Sequence, residues 1–202
     1  MNLKQLPQFG TMPDGQPVDH YRLENGAFAV EVLSLGGVIY RLEVPDRNNR
    51  AGNVVLNVPT VEAMLSPKSS YLGALIGRFA NRIGFGRFAL EGETYELAIN
   101  DPPHCLHGGK VGYDKRIWTI KPHASPDGPA LELSLVDEGG TENFPGTVKV
   151  TVIYTLLIDG LRISYRATSD QPTPINLTNH SYFNLKDAGR SSVLDHVVQL
   201  QA

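Results

Sequence analysis

A strand–turn–strand pattern at residues 148–169 decides the fold class, and it reads VKVTVIYTLLIDGLRISYRATS. Apolar side chains occupy every second position over residues 150–158 and again over residues 161–167. A period of two is typical of a strand that buries one face. Asp159-Gly160 lies between the two runs and predicts a two-residue type I′ turn, because both residues tolerate positive φ values. The stretch therefore predicts an antiparallel β-hairpin.

The same alternation recurs on both sides of this hairpin. It predicts further strands at residues 21–24, 27–34, 38–44, 88–90, 94–98 and 131–135, and the largely apolar segment at residues 193–200 is a last strand candidate. Turn-forming residues separate several of these strands, namely Asn25-Gly26, Pro45-Asp46 and Glu91-Gly92-Glu93.

Helix is predicted only at residues 61–65, where Thr60 is suited to cap the first turn and Pro67 to end the segment. Neither a linker nor an internal repeat interrupts the pattern. The sequence therefore predicts an all-β fold, a large antiparallel β-sandwich that forms one domain over residues 1–202.

Charge and cysteine content narrow the classes of partner. The 18 Lys and Arg residues against 21 Asp and Glu residues give a formal net charge of −3, and no basic run is present. We therefore expect no nucleic-acid partner. A single cysteine, Cys105, excludes an internal disulfide and a cysteine-based zinc site. No apolar run is long enough to span a membrane, and the first residues do not resemble a signal peptide, so we expect a cytoplasmic location.

Three segments break the alternation and concentrate asparagine, histidine and arginine side chains. They are GRFANRI at residues 77–83, NDPPHCLHGG at 100–109 and NLTNHSYFNL at 176–185. His107 and His180 are candidate proton donors or acceptors, because histidine titrates near neutral pH. Asn81 and Arg82 supply the hydrogen-bond donors that recognise hydroxyl or carboxylate groups.

Each of these residues, taken alone, also fits a purely structural role. His104 and His107 have the i, i+3 spacing of a metal pair, but Pro102-Pro103 argues against the helix that would align them. Cys105 is a conceivable nucleophile. A sugar-stacking surface or ordinary core packing would account for three aromatic residues, namely Tyr113, Trp118 and Phe183.

Taken together and in order, these segments resemble the aldose 1-epimerase (galactose mutarotase) family. The resemblance rests on GGVI at 36–39, GRFANRI at 77–83, LHGG at 106–109 with GYDK at 112–115 and Trp118, and NLTNHSYFNL at 176–185. It implies a galactose mutarotase-like β-supersandwich. It also implies interconversion of the α and β anomers of free aldohexoses such as galactose and glucose. Ring opening requires one acid and one base, and neither a cofactor nor a metal.

The resemblance also implies a role for each candidate residue. His180 would protonate the ring oxygen, and His107 would hydrogen-bond the ring oxygen or a neighbouring hydroxyl. Asn81 and Arg82 would hold sugar hydroxyls.

The base of the family is a glutamate far downstream, and neither it nor a sugar-binding aspartate has a match in residues 1–202. We therefore expect this chain to be an N-terminal portion that carries the acid half of the site, leaves the sandwich incomplete and has low activity alone. A C-terminal fragment or a second copy would then cover its exposed edges. Two alternatives stay open: a non-catalytic sugar-binding β-sandwich fragment, and a hexose-phosphate 1-epimerase that uses Arg78 and Arg82.

Overall fold

The structure, a computed structural model, describes residues 2–201 and consists mainly of strands. In chain order the strands are β1 (Asn2–Gln5), β2 (Gly10–Thr11), β3 (Pro17–Val18), β4 (His20–Asn25), β5 (Phe28–Leu33), β6 (Ile39–Pro45), β7 (Ala51–Asn53), β8 (Leu75–Ile76), β9 (Arg82–Ile83), β10 (Arg87–Leu90), β11 (Glu93–Glu96), β12 (Cys105–Leu106), β13 (Thr119–His123), β14 (Ala130–Asp137), β15 (Val148–Leu156), β16 (Leu161–Ser169) and β17 (Thr178–Asn179). One short helix, α1, spans Val61–Leu65, and single 3₁₀ turns occur at Pro67–Ser69, Gly84–Gly86, Tyr113–Lys115 and Thr141–Asn143.

Two antiparallel sheets form the body of the fold. The first has five strands in the order β1-β4-β5-β6-β7, and the second has four in the order β13-β14-β15-β16. Their inward-facing residues form one apolar core that includes Val30 and Val32 of β5, Leu133 of β14 and Val152 of β15. Such burial of alternating side chains between two sheets is the main stabilising contribution in a sandwich. The predicted all-β antiparallel sandwich is confirmed.

The deciding hairpin forms, but its turn differs from the prediction. β15 and β16 pair from Val148↔Ser169 to Leu156↔Leu161, and the Leu157 N–H donates to the Gly160 carbonyl at 2.7 Å. The turn is therefore centred on Ile158-Asp159, and neither Asp159 nor Gly160 has a positive φ. The predicted type I′ turn at Asp159-Gly160 is wrong.

Packing at the end of β15 explains this register. Leu156 is fully buried, and its carbonyl accepts a hydrogen bond from Asn25 Nδ2 at 2.9 Å. Because these tertiary contacts fix where the strand ends, they outweigh the local preference of the Asp-Gly pair.

The helix and the turn at Glu91-Gly92 occur where expected, whereas the turns predicted at Asn25-Gly26 and Pro45-Asp46 begin one residue later, because Asn25 and Pro45 still pair as the last residues of β4 and β6. Gly26, with φ +60, opens the two-residue loop between β4 and β5. Glu91 and Gly92, both at positive φ, join β10 to β11. The Thr60 hydroxyl accepts the Ala63 N–H at 3.1 Å and caps α1.

The predicted strand at residues 193–200 is wrong. No strand of the described chain pairs with this segment, which is irregular and contains a turn closed by the His196 N–H and the Val193 carbonyl. Its apolar residues are exposed, among them Leu194 and Val197. An apolar segment forms a strand only where a neighbouring strand supplies backbone hydrogen bonds.

Among the described residues 2–201, no helix has the length and apolar character needed to cross a membrane.

Candidate active site

Two very short ladders bring the three histidine- and asparagine-rich segments to one place. β8 pairs with β17, which places His180 directly after a paired strand, and the His180 N–H donates to the Ala74 carbonyl at 2.8 Å. β9 pairs with β12, and His107 directly follows β12. Residues more than 100 positions apart in the sequence are thereby joined, since Asn179 Nδ2 donates to the Gly73 carbonyl at 2.9 Å.

The two candidate histidines lie against one another. The ring centroids of His107 and His180 are 5.1 Å apart in an edge-to-face arrangement. Tyr71 packs on both rings, with centroids 4.6 Å from His107 and 5.7 Å from His180, and Tyr182 lies 5.0 Å from His180. We call these four side chains the aromatic cluster.

Reciprocal hydrogen bonds fix the orientation of His107. Its Nδ1 accepts the backbone N–H of Asn81 at 3.0 Å, and its own backbone N–H donates to the Asn81 carbonyl at 3.1 Å. Both residues have left-handed backbones, with φ +65 at Asn81 and +54 at His107. Since Nδ1 is an acceptor, the neutral ring carries its proton on Nε2.

The environment keeps that ring neutral. Burial, together with the nearby charges of His180 and Arg82, lowers the pKa of His107 to about 4, and Asp101 partly opposes this shift. At neutral pH His107 is therefore a fixed N–H donor rather than an acid that exchanges its proton.

Asn81 and Arg82 present free donors beside His107. Asn81 Oδ1 accepts the Arg82 backbone N–H at 2.9 Å, while its Nδ2 donates to no group within residues 2–201. Arg82 Nε donates to Asp101 Oδ2 at 2.7 Å, and about half of the arginine side chain is exposed. The guanidinium is thus oriented by Asp101 and still faces solvent.

His180 is held through its backbone and left open at its ring. Asn179 Oδ1 accepts the Ser181 N–H and hydroxyl at 3.0 and 2.7 Å, which stiffens the loop on either side. Within the described residues, neither ring nitrogen of His180 makes a hydrogen bond. Both nitrogens are therefore available to a ligand.

Close backbone contact explains the glycines after His107. Gly108 has φ +89, and a Cβ there would collide with the carbonyl oxygen of Gly77. Only glycine permits this approach of the two segments.

Arg78 supports the site without facing it. Its side chain is 1% exposed, with Nε donating to Asp137 Oδ2 at 2.8 Å and Nη1 to the Pro145 carbonyl at 2.6 Å. The Tyr113 hydroxyl donates to the same carboxylate at 3.0 Å. Arg78 is therefore unavailable to a phosphate group, contrary to its part in the hexose-phosphate alternative.

The other candidates are placed in structural roles. His104 Nδ1 accepts the Phe85 N–H at 3.1 Å and does not share a ligand set with His107; no three metal-ligating side chains gather among residues 2–201. Cys105 is buried, and burial raises the pKa of its thiol to about 11, which disfavours the nucleophilic thiolate. Trp118 is a core residue packed on Tyr113, in agreement with the core-packing alternative, whereas Phe183 is exposed.

Two residues at the site were missed by the sequence analysis. Tyr71 lies outside the three segments, and its only unusual feature, φ +68, is not visible in the sequence. Asp114 belongs to the GYDK motif, but nothing in that motif reveals that its side chain is only 6% exposed beside Tyr71.

Comparison with known proteins places this geometry in a family. Residues 19–202 match the family model described as aldose 1-epimerase. The chain is 45% identical to a galactose mutarotase from Bos taurus over 96% of this chain and 56% of that protein. It is 36% identical to an aldose 1-epimerase from Escherichia coli (strain K12) over 94% of this chain and 54% of that protein. The chain thus spans a little over half the length of the curated relatives it matches.

Solved structures agree with this placement. A galactose 1-epimerase from Lactobacillus acidophilus NCFM superposes with a TM-score of 0.76 at 28% identity, covering 91% of this chain and 53% of the other. A GalM/aldose epimerase homologue from C. elegans gives 0.74 at 31% identity, covering 84% and 51%. This chain therefore belongs to the aldose 1-epimerase family.

Proposed function

We propose that this chain carries the sugar-binding residues and the general acid of an aldose 1-epimerase that acts on free aldohexoses. The observation that carries the proposal is the edge-to-face contact of His107 and His180, one ring fixed as a neutral donor and the other open at both nitrogens. Family membership and the relatives named galactose mutarotase support the same reaction class.

The chemistry assigns the two histidines different tasks. As the C1–O5 bond breaks, its electron pair moves to O5, which takes a proton from His180. A base removes the C1 hydroxyl proton, and the electrons of that O–H bond form the aldehyde C=O. His107 Nε2–H donates to the ring oxygen or an adjacent hydroxyl, which stabilises the charge that develops there. Rotation about C1–C2 and reclosure on the other face give the second anomer.

Asn81 and Arg82 hold the sugar in place for this step. Their donors lie on the same short segment as the hydrogen bond that orients His107, so substrate and donor are positioned by one piece of backbone. Accurate placement matters because a small displacement of the reacting atoms costs much of the rate. The family's glutamate base has no match in residues 1–202. A positioned general base contributes about 10²–10⁴-fold to the rate, so we expect this chain alone to accelerate the reaction by less than a complete acid–base pair would.

Binding of D-galactose to the isotope-labelled chain tests the proposal. We expect the ring signals of His107 and His180 and the side-chain amide of Asn81 to shift on titration, while galactitol, which has no ring oxygen, produces smaller shifts. Absence of any shift with galactose would contradict the proposal.

Polarimetry on freshly dissolved α-D-galactose separates the enzyme from a binding module. Acceleration that is lost in His180→Gln and kept in His123→Gln, a histidine on β13 outside the cluster, supports the acid role. Sugar binding without acceleration, or acceleration that survives His180→Gln, would instead favour the non-catalytic sugar-binding alternative or another acid. D-glucose 6-phosphate should bind no better than glucose, since Arg78 is buried and Arg82 is already paired with Asp101.

A free aldohexose is the proposed small-molecule partner, and a cytoplasmic location stays a prediction from the sequence.

A further inference from the structure

We propose that Asn100 and Glu142 are positioning residues that hold the turn around His107 in the shape from which its ring donates to a sugar. We call residues 106–109 the His107 turn. The proposal deepens the sugar-binding role given to His107 above and rests on that proposed function. Asn100 and Glu142 act through the backbone of the turn and not by contact with the sugar.

The His107 turn has a backbone shape that a residue with a large side chain seldom adopts. The Gly109 N–H donates to the Leu106 carbonyl at 3.1 Å, and the two residues between them, His107 and Gly108, have φ values of +54 and +89. These are the φ values of a type I′ turn, whose central positions favour glycine, asparagine or aspartate. Histidine at the first central position therefore depends on contacts from outside the turn to hold its backbone there.

The Asn100 side chain supplies such contacts at both ends of the turn. Its Oδ1 accepts the Leu106 N–H at 2.7 Å, and its Nδ2 donates to the Leu106 carbonyl at 2.9 Å and to the Gly109 carbonyl at 2.8 Å. One amide group thus ties residues 106 and 109 to a single point. Opening the turn would break these hydrogen bonds and leave half-buried polar groups without partners, which is costly.

Glu142 holds the chain just beyond the turn. Its two carboxylate oxygens accept the N–H groups of Lys110 and Val111, each at 2.9 Å. The carboxylate also lies against Gly109, where a Cβ would collide with Oε2. Hydrogen bonds to an ionised acceptor are stronger than those between neutral groups. Asn100 and Glu142 together therefore fix backbone groups from residue 106 to residue 111.

The shape of the turn decides which nitrogen of His107 carries the proton. In the turn as held, His107 Nδ1 accepts the Asn81 N–H at 3.0 Å, so the neutral ring keeps its proton on Nε2. When the turn relaxes to a right-handed backbone, the ring leaves Asn81, and nothing then reserves Nδ1 as an acceptor. The ring divides between its two neutral tautomers, and the population that presents Nε2–H to a sugar falls. Asn100 and Glu142 thereby affect sugar binding without touching the ligand.

Nitrogen NMR of the isotope-labelled His107 ring at neutral pH tests the proposal without any sugar, because a protonated and an unprotonated ring nitrogen have different shifts. We expect a single Nε2–H form in the wild-type chain and a mixture of tautomers in Asn100→Ala and Glu142→Ala. Calorimetry with D-galactose should show binding about ten-fold weaker in both variants, as when the competent turn is populated about one part in ten.

Conservative variants separate the hydrogen bonds from the space that the side chains fill. Asn100→Asp keeps the shape and an acceptor for the Leu106 N–H but loses both donations from Nδ2, so it should behave like Asn100→Ala. Glu142→Gln keeps one acceptor oxygen, so its tautomer mixture and its affinity should lie between those of Glu142→Ala and the wild-type chain.

Two variants outside the site are matched controls. Asn53 also makes three hydrogen bonds to backbone groups, since its Nδ2 donates to the Val55 carbonyl at 2.9 Å and its Oδ1 accepts the Leu42 and Val55 N–H groups at 3.0 and 3.2 Å. Asp46 accepts two backbone N–H groups of its own turn, at 2.7 and 2.9 Å. Asn53→Ala and Asp46→Ala should lose comparable stability and keep the single His107 tautomer and the wild-type affinity for galactose.

A single Nε2–H tautomer in both Asn100→Ala and Glu142→Ala would overturn the proposal, and so would mixed tautomers in the two controls. An unchanged galactose affinity in variants with mixed tautomers would also overturn it. Glu142 is not buried, so Glu142→Ala should fold, and it decides alone if Asn100→Ala does not. A chain that binds no galactose yet shows mixed tautomers only in the two site variants would refute the proposed function and leave the control of the His107 tautomer by these residues intact.

Discussion

His107 and Asn81 exchange two hydrogen bonds across a pair of left-handed residues, the Asn81 N–H to His107 Nδ1 at 3.0 Å and the His107 N–H to the Asn81 carbonyl at 3.1 Å. The Asn81 side chain, which we propose to bind sugar hydroxyls, and the His107 ring, which carries its proton on Nε2, are therefore held together as one unit.

The protonation of His107 gives stability a specific pH dependence. Burial in the folded chain lowers the pKa of His107 to about 4 from its ordinary value of 6.5. Between these values the unfolded chain binds more protons, so stability is lost as the pH falls from about 6.5 towards 4. Urea unfolding at pH 7 and pH 5 should show a larger loss for the wild-type chain than for His107→Gln. His123→Gln should keep the wild-type loss, and equal losses in all three chains would contradict the assignment.

The buried Arg78–Asp137 pair should be a major determinant of stability. Arg78→Met leaves the Asp137 carboxylate buried with Arg116 and Tyr113 but without its fully buried partner. Breaking such a pair costs about 3–5 kcal/mol. Denaturant unfolding is the measurement, and Arg87→Met is the control, because the exposed Arg87–Glu96 pair contributes at most about 1 kcal/mol. Similar losses of unfolding free energy in the two variants would show that burial does not make the Arg78–Asp137 pair more important than the exposed pair.

Gly108 and Gly15 form a matched pair of glycines. Both have φ +89, but a Cβ at Gly15 meets no atom within 4 Å, whereas one at Gly108 meets the Gly77 carbonyl. Gly15→Ala should cost about 1–2 kcal/mol for the left-handed backbone alone. Gly108→Ala should cost clearly more and should perturb the His107 signals. Thermal unfolding with NMR checks both, and equal melting temperatures would disprove the close approach.

Exposed apolar residues predict self-association of this chain. Leu194 and Val197 are 92% and 94% exposed, and Tyr165 on the edge strand β16 is 38% exposed. Exposed apolar surface and an open strand edge favour pairing with a second copy. Sedimentation velocity should show a concentration-dependent dimer, weakened in the double variant Leu194→Lys/Val197→Lys. Gln199→Lys adds charge in the same segment without removing apolar surface and should weaken it less. A monomer at all concentrations would contradict this prediction.

Local sequence patterns predicted the longer strands and the helix, because alternation and helix capping depend only on residues that are close in the sequence. Alternation located β14, β15 and β16, and Thr60 located the start of α1. The largely apolar segment at residues 193–200 forms no strand, because a strand also requires a neighbouring strand to pair with, and the sequence pattern does not show whether one is present. The turn after β15 was misplaced for a related reason, because the burial of Leu156 sets the register.

The candidate site was predictable in its residue types and only partly in its geometry. The sequence identifies His107, His180, Asn81 and Arg82 as candidates because their polar side chains lie among apolar residues and are costly to bury without partners. Their contacts depend on two-residue ladders, β8–β17 and β9–β12, which are too short to leave a periodic signal. Tyr71 and Asp114 lie near the histidines only because of tertiary packing, so no sequence pattern distinguishes them.

The two ladders differ greatly in the length of chain they close. Asn81 and His107 are 26 residues apart, whereas Asn179 and Gly73 are 106 apart. The longer closure loses more chain entropy, so local opening should release the His180 segment while the Asn81–His107 unit persists. A sugar that touches both histidines would bridge the two parts. Its binding should therefore slow hydrogen exchange of the His180 amide more than that of the His107 amide. The sugar would then suppress local opening of the segment that contains the proposed acid.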